Sequence, residues 1–342
     1  MEIILSICIA TFNRANFISA TLESIIKQVD KNIEIVIVDG ASKDNTSKII
    51  EPYLTKYSFI RYYRESKNLG VDRDYNKAVN YSNGKYVWLM TDDDLVKPGA
   101  IKKIIRSIIN KYNLIIINSE IKNLDMSRVF EERRLKIYRD KVYNKNEIEK
   151  FFIDTADYLS FIGSVVIRRD LWKKRDKKSY YGSLFIHVGV IFQHPAIHNI
   201  KVLSSPQLSI RYGNAMWKPK SFEVWMFNWP KLIWSFKSFS DDSKKKVCLE
   251  YPFLSPRILF QNRAQGHYSF YEFRRYIIPA CKFFKIIPFI ISVFPAKLAN
   301  LIMISYYLFF GSSSSALSIS DLLSSPKAHF LSNMLHKWFK RT

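Results

Sequence analysis

Three carboxylates stand in a row at Asp92, Asp93 and Asp94, directly after the apolar run Tyr86-Val-Trp-Leu-Met90 and Thr91, and Pro98-Gly99 follows closely. Like charges crowded at the end of an apolar segment repel one another, so a chain that keeps them there is expected to supply a cation. The simplest is a divalent metal that prefers oxygen ligands, and a metal so held suits a phosphate. The competing reading is a solvated acidic turn, because charge runs are often plain wet surface. What precedes the triplet decides between the two.

The elements that position it follow one pattern. Ile3–Ala10 is β-branched and apolar and ends in Thr11-Phe-Asn-Arg14, and apolar spacing at Phe17, Ile18, Leu22, Ile25 and Ile26 predicts an amphipathic helix. A strand is expected at Ile33–Val38, stopped by Asp39-Gly-Ala-Ser-Lys-Asp-Asn-Thr46. A helix over Ser47–Leu54, a strand over Phe59–Tyr63, a helix over Asp72–Asn80 and the strand Tyr86–Met90 continue the alternation. Alternating strands and helices make an α/β fold with a mostly parallel, doubly wound sheet. Ligands of such sheets bind at the carboxyl ends of strands, where Thr11, Asp39 and Asp92–Asp94 all fall. Neither a Gly-x-Gly-x-x-Gly after the first strand nor a P-loop occurs, so ordinary dinucleotide and P-loop cradles are not indicated.

The chain carries 53 Lys and Arg against 30 Asp and Glu, a formal charge of +23, and such a field attracts a polyanion. Nucleic acid, an anionic membrane face and a phosphate-bearing substrate are the generic possibilities. Three cysteines, Cys8, Cys248 and Cys281, lie in no metal spacing, which speaks against a disulfide framework or a zinc site and fits a reducing compartment. The N-terminus opens with Glu2 where an export signal carries bases, and reads as a first strand.

Thr11-Phe-Asn-Arg14, Val38-Asp-Gly-Ala-Ser-Lys-Asp-Asn-Thr46, Asn68-Leu-Gly70 and Thr91-Asp-Asp-Asp94 ahead of Pro98-Gly99, in this order and spacing, resemble the family 2 glycosyltransferases of the GT-A fold. The resemblance covers roughly the first 110 residues. It implies a nucleotide-sugar donor, a divalent cation, usually Mn²⁺ or Mg²⁺, and an inverting displacement at the anomeric carbon. By the same resemblance Thr11, Asn13 and Arg14 border the nucleotide, and Asp39 contacts the pyrimidine edge, where a carboxylate accepts from an N3–H or an amino group. Ser42 and Asp44 match the loop after the second strand, with Asp44 equally suited to capping the next helix. Asn68, Gly70 and Arg73 line the donor. The family's commoner acidic motif is Asp-x-Asp-Asp, and this chain has Thr91 at its first place. Asp93 is therefore expected to bind the metal, Asp92 to touch the ribose or the metal's surroundings, and Asp94 to be either a second ligand or a hydrogen-bonded strut.

On the acceptor side, residues 118–150 are charge-rich and weakly patterned and read as a surface insertion, while Tyr158–Trp172, with a strand over Ser164–Ile167, is expected to frame the acceptor. An inverting transfer needs a general base. The family commonly uses an Asp that follows a Glu, and His187 and Ile186 occupy those two places. His187 is then the base, a hydrogen-bond partner of the acceptor or a satisfied core residue, with Asp157 as the alternative base. Arg211-Tyr-Gly-Asn-Ala-Met-Trp217 resembles a loop of O-antigen and capsule-type members that closes over the donor. It implies that Arg211 or Trp217 touches the pyrophosphate or the acceptor, against the plainer reading of a structural turn.

Residues 1–220 are thus expected to form the catalytic domain, 1–112 as the nucleotide-sugar half and 113–220 as the acceptor half. Residues 221–342 form a helical, basic extension. Within it, Ile286–Ala296 and Leu298–Phe310 are apolar but each shorter than the ~20 residues that span a bilayer. An in-plane or shallowly inserted helical hairpin is expected, against the alternative of a helical lid with a basic exterior. From Phe273 to Thr342 nine Lys and Arg stand against Asp321 alone, and the tail His329–Arg341 mixes aromatic and basic residues. An anionic membrane surface is the expected partner, which places the protein peripherally on the cytoplasmic face of the inner membrane, acting on a lipid-linked oligosaccharide or polysaccharide acceptor in surface polysaccharide synthesis. Two rival readings are weighed. A nucleic-acid-binding protein rests on charge alone, with no recognisable motif, so no nucleic acid is expected. A catalytically inert nucleotide-sugar-binding subunit rests on His187 standing where an acid is usual.

Overall fold

Seven consecutive residues, Leu5–Thr11, form β1, and the same holds for β2 (Ile33–Asp39); both strands are buried from end to end, as a strand with helices on both faces must be. The computed structural model describes residues 2–281, 285–311 and 316–339, with side chains to residue 335. Helices α1 (Ile18–Ile26) and α2 (Thr46–Lys56) flank these strands in sequence, followed by β3 (Ile60–Arg64), α3 (Val71–Tyr81), β4 (Tyr86–Met90), the two-residue β5 (Leu95–Val96) and α4 (Ala100–Ile109). Beyond them come β6 (Leu114–Lys122), β7 (Val129–Glu131), β8 (Lys141–Tyr143), α5 (Ile148–Thr155), β9 (Val165–Arg168), α6 (Arg169–Lys174), α7 (Ile186–Phe192) and β10 (Ile200–Arg211).

The strands make one ten-stranded sheet in the order β3-β2-β1-β4-β9-β6-β10-β5, with β7 on β6 and β8 on β10. β3, β2, β1 and β4 are mutually parallel, and β10 pairs parallel with β6, while β9 runs antiparallel between β4 and β6. The register sets Thr11 opposite Asp39, Asp39 opposite Arg64 and Ile9 opposite Met90, so four strand ends open on one edge. One face of the sheet is packed by Ile18, Leu22 and Ile25 of α1, Ile50 of α2 and Ile101, Ile104 and Ile108 of α4. Tyr75, Ala78 and Val79 of α3 are buried outside that cluster, and α3 packs on β1 and β2. Gly84 is required at the turn into β4, because a Cβ there would stand 2.6 Å from the Ser6 backbone nitrogen.

Residues 118–150 are more than a surface insertion. β6 runs on to Lys122 with Asn118, Ser119 and Glu120 buried, and β7 and β8 extend the sheet. Asn118 holds this turn together by donating to Leu135 and Ser204 carbonyls at 2.7 and 2.8 Å.

The chain divides into two compact units: residues 1–212 with 236–247, and residues 213–235 with 248–342. The segment 236–247 returns to the first unit because Phe236 and Phe239 pack on Phe152 and Phe192. The second unit is helical. One core gathers Phe222, Met226, Phe253, Leu259, Tyr268 and Phe273, and another Ala264, Ala299, Met303, Ile304 and Leu322. Among the described residues no single helix is long and apolar enough to cross a membrane, and the helices Ile286–Val293 and Ala296–Phe310 are bent by 98°. The aromatic and basic end of the tail, residues 337–341, lies outside the described side chains.

Candidate functional site at the carboxyl edge of the sheet

The loops after β1 and β2 are stitched together by hydrogen bonds between backbone amides and side-chain oxygens. Asn13 N donates to Ser42 Oγ at 2.9 Å, Arg14 N to Thr46 Oγ1 at 2.8 Å and Ala15 N to Asp44 Oδ2 at 3.0 Å. In return Lys43 N donates to Asn13 Oδ1 at 2.7 Å. Asn13 takes φ +52°, a left-handed conformation that asparagine tolerates, whereas Ala41 at φ +67° carries backbone strain. Asp44 also accepts from the Thr46 amide and hydroxyl, which together hold its carboxyl below the usual range.

Asp39 is fully buried and both its oxygens are engaged, Oδ1 by Ser42 N at 2.7 Å and Oδ2 by the Tyr62 hydroxyl at 2.6 Å. Gly40 follows, and its lack of a side chain matters: a Cβ there would stand 2.7 Å from Asp74 Oδ2. Asp74 is buried, Oδ1 has no hydrogen-bond partner among the described residues, and burial, followed by the charge of Glu65, pushes its carboxyl up to about 6. Sequence reasoning passed over this residue, because an acid in the first turn of a helix reads as complementing the helix dipole. Its neighbour Asp72 accepts from Gly182, Leu184 and Ile186 amides at 2.8, 3.0 and 3.1 Å, tying the start of α3 to the loop that enters α7. Asn68 Oδ1 accepts from Gly70 N at 2.8 Å, and Gly70, at φ +93°, immediately precedes α3 as its N-cap. Arg73 is exposed and lies over the Tyr181 ring at 4.6 Å.

The acidic turn is held from four sides. Thr21 Oγ1 donates to the Asp94 carbonyl at 2.9 Å, the Tyr75 hydroxyl to the Met90 carbonyl at 3.0 Å, Thr91 Oγ1 to Asp94 Oδ2 at 2.5 Å, and Arg211 N to Asp94 Oδ1 at 2.7 Å. Both Asp94 oxygens are thereby used within the protein. Asp92 and Asp93 are turned to Arg14 instead, with Nε 3.3 Å from Asp92 Oδ1 and Nη2 3.3 Å from Asp93 Oδ2. Arg211 Nε donates to the Asp93 carbonyl at 2.9 Å. The guanidinium groups of Arg14 and Arg211 both lie on the Phe17 ring, at 5.8 and 5.1 Å. Phe17, read from the sequence only as an apolar helix position, is thus the platform for the two cations beside the triplet.

Burial, then the charge of Asp93, pushes Asp92 up to about 7, against the opposing pull of Arg14. Asp94 is also raised, by burial and then by Asp93. The Thr11 hydroxyl lies close enough to ease the Asp92 charge but makes no hydrogen bond of ordinary geometry. The carboxylate oxygens of Asp92 and Asp93 are the donor type a hard divalent cation takes, although among the described residues no group of three or more His, Cys, Asp or Glu side chains is gathered to hold one.

His187, on α7, is fully buried, with Nε2 2.6 Å from the Leu159 carbonyl and Nδ1 without a partner among the described residues. Burial lowers its pKa to about 4, so the ring is neutral near pH 7. Asp157 is exposed, at the start of the turn Tyr158–Ser160. Arg211 ends β10 and does not sit in a free loop. Trp217 belongs to the second unit, edge-on to Trp225 at 5.7 Å.

Residues 6–173 match the sequence profile of Glycosyl transferase family 2. That stretch of the chain belongs to the family. Among its relatives, Abequosyltransferase RfbV of Salmonella typhimurium is 26% identical over 231 residues, covering 64% of this chain and 69% of the relative. The GalNAc(5)-diNAcBac-PP-undecaprenol beta-1,3-glucosyltransferase of Campylobacter jejuni is 25% identical over 181 residues, and the match spans only 56% of that protein. Among solved structures, S. aureus TarS 1-349 in complex with UDP superposes with a TM-score of 0.58 at 17% identity, covering 94% of this family 2 glycosyltransferase and 89% of that chain. At that identity the likeness speaks to fold, and the fold is the GT-A arrangement that the sequence resemblance implied.

Proposed function

We propose that this family 2 glycosyltransferase moves a sugar from a nucleotide-sugar donor to a lipid-linked oligosaccharide or polysaccharide acceptor in surface polysaccharide synthesis. The observation that carries this reading is Arg14 shared between Asp92 and Asp93 beside the stitched loops of β1 and β2. Relatives supply the substrate class: one is named an abequosyltransferase, another acts on a PP-undecaprenol-linked glycan, and TarS was solved with UDP and UDP-GlcNAc.

Asp93, with Asp92 beside it, is the proposed holder of Mn²⁺ or Mg²⁺, and Asp94 is the strut that fixes the turn. Such an ion, when bound, acts as a Lewis acid on the diphosphate of the donor. Thr11, Asn13, Arg14, Ser42, Asn68, Gly70 and Arg73 form the proposed donor lining, with Arg211 reaching the acidic turn. Asp39, whose oxygens already hold Ser42 and Tyr62, shapes the base-binding floor. For removal of the acceptor proton, Asp157 is open to solvent and His187 is not, so Asp157 takes the base role and His187 a structural one. The enzyme works peripherally on the cytoplasmic face of the inner membrane.

Thermal-shift screening of UDP-, GDP-, CDP- and dTDP-sugars with and without Mn²⁺ tests the reading: one donor is expected to raise the melting temperature, more so with the metal. No response to any of them would overturn it. A second reading has one observation in its favour, the burial of His187 where the family commonly has its base. A nucleotide-sugar-binding subunit without turnover would bind donor and transfer nothing.

A further inference from the structure

The second unit leaves apolar side chains in solvent on two successive helices. On Ile286–Val293 five of eight residues are exposed: Ile286 at 74%, Ile287, Phe289, Ile290 and Val293, with Pro288, Ile291 and Ser292 turned inward. On Ala296–Phe310 the exposed residues Leu298, Ile302, Tyr306, Phe309 and Phe310 recur at three- and four-residue steps, which is one side of a helix. Exposed apolar surface of this extent marks an interaction site.

The opposite side of Ala296–Phe310 is ordinary protein interior. Asn300 is fully buried there with its amide satisfied: Nδ2 donates to the Ala264 and Leu322 carbonyls at 3.2 and 2.9 Å, and Oδ1 accepts from His329 N and Ser332 Oγ at 3.2 and 2.8 Å. A helix clamped this way has one face committed to protein and only the other free. At 15 residues it is about 22 Å long, short of the roughly 30 Å hydrocarbon core, and the 98° bend keeps the pair from acting as one rod. Charge identifies the occupant. Among the residues with described side chains from Phe273 onward, Arg274, Arg275, Lys285, Lys297 and Lys327 stand against one carboxylate, Asp321. Apolar side chains flanked by cations match the acyl chains and headgroups of an anionic bilayer, whereas two copies of this basic unit repel each other.

The geometry points to an in-plane lipid-binding surface: the exposed sides of Ile286–Val293 and Ala296–Phe310 enter the headgroup boundary of an anionic bilayer without crossing it, with Arg274, Arg275, Lys285 and Lys297 on lipid phosphates. This surface deepens the peripheral membrane placement proposed above and rests on it. It does not depend on the donor site, so the two fail separately.

The full chain is mixed with sedimentable vesicles of phosphatidylcholine alone or with one-third phosphatidylglycerol, and the pelleted fraction is measured. Binding to the anionic vesicles at least tenfold tighter than to the neutral ones is expected. The Ile286→Asp/Ile290→Asp variant should lose tenfold or more of that affinity, and Lys297→Glu several-fold, each with unchanged nucleotide-sugar thermal shifts as the check on folding. An Ile290→Trp variant should blue-shift on binding and be quenched by lipids brominated near the headgroup. Equal binding to both vesicle types, undiminished binding by the double variant, quenching only at the bilayer centre, or a solution dimer that the double variant dissolves would each overturn the assignment.

Discussion

The backbone amide of Arg211 donates to Asp94 Oδ1 at 2.7 Å, joining two residues 117 positions apart and fastening the end of β10 to the acidic turn after β4. With Thr91 on the other oxygen, Asp94 carries the turn's shape. Replacing it by alanine leaves a buried amide and a hydroxyl without their acceptor, which costs about 1–3 kcal/mol for each buried group so orphaned. Asp94→Ala is expected to lower the denaturation midpoint and weaken donor binding together. A variant of unchanged stability that has lost only its metal response would make Asp94 a ligand.

Asp93 has a different expected signature. Asp93→Ala removes the carboxylate whose charge raises Asp92, so the fold should be at least as stable as the parent in the absence of metal, while Mn²⁺-dependent donor binding disappears. Calorimetry with and without Mn²⁺ checks this, and normal metal-dependent binding in the variant would defeat the proposed role.

Asp74 offers a test by pH. Its carboxyl is raised to about 6 from an ordinary 3.8, so the folded protein holds that proton more tightly than the unfolded chain does. Stability from this group is therefore full below about pH 4 and is lost as pH rises through 6. Asp74→Asn cannot ionise. It should melt above the parent at pH 8, with the advantage vanishing near pH 4, as followed by thermal denaturation. An equal difference at both values would point to packing alone.

His187 shifts in the opposite sense. Burial lowers its pKa to about 4, so its contribution is complete above 6.5 and falls away as the solution is acidified towards 4. If the ring is structural, His187→Ala should cost about 1–3 kcal/mol through the lost contact with the Leu159 carbonyl and the space left behind, and transfer per folded molecule should stay within about twofold. A fully stable variant with transfer reduced a hundredfold would return the ring to the chemistry. Asp157→Asn is the counterpart, with donor binding kept and transfer lost.

Much of the donor half was readable from local pattern. The strand Tyr86–Met90 is the one the apolar run predicts, residue for residue, and α1 and α3 lie within two residues of their expected ends because their apolar spacing is regular. β10 was hidden by Ser204, Ser205, Pro206 and Gln207, which break the apolar run, and the pairing with β6 does shift register around Pro206. β5 is two residues long and exists only because β10 is beside it. The side chains gathered around the acidic turn were named where a motif named them. Phe17 and Asp74 were not, since a platform for two guanidinium groups and a carboxylate against a glycine are relations across the fold that no local spacing announces.

The stitching of the first two loops has a consequence for inheritance. Asn13, Arg14 and Ala15 are oriented by Ser42, Thr46 and Asp44, about thirty residues further along, so neither loop has its shape alone. A chimaera that takes one loop from a relative and leaves the other would misdirect Arg14 while keeping every motif residue in place. The two segments are one heritable part, and specificity transplanted between members of the family has to travel with both.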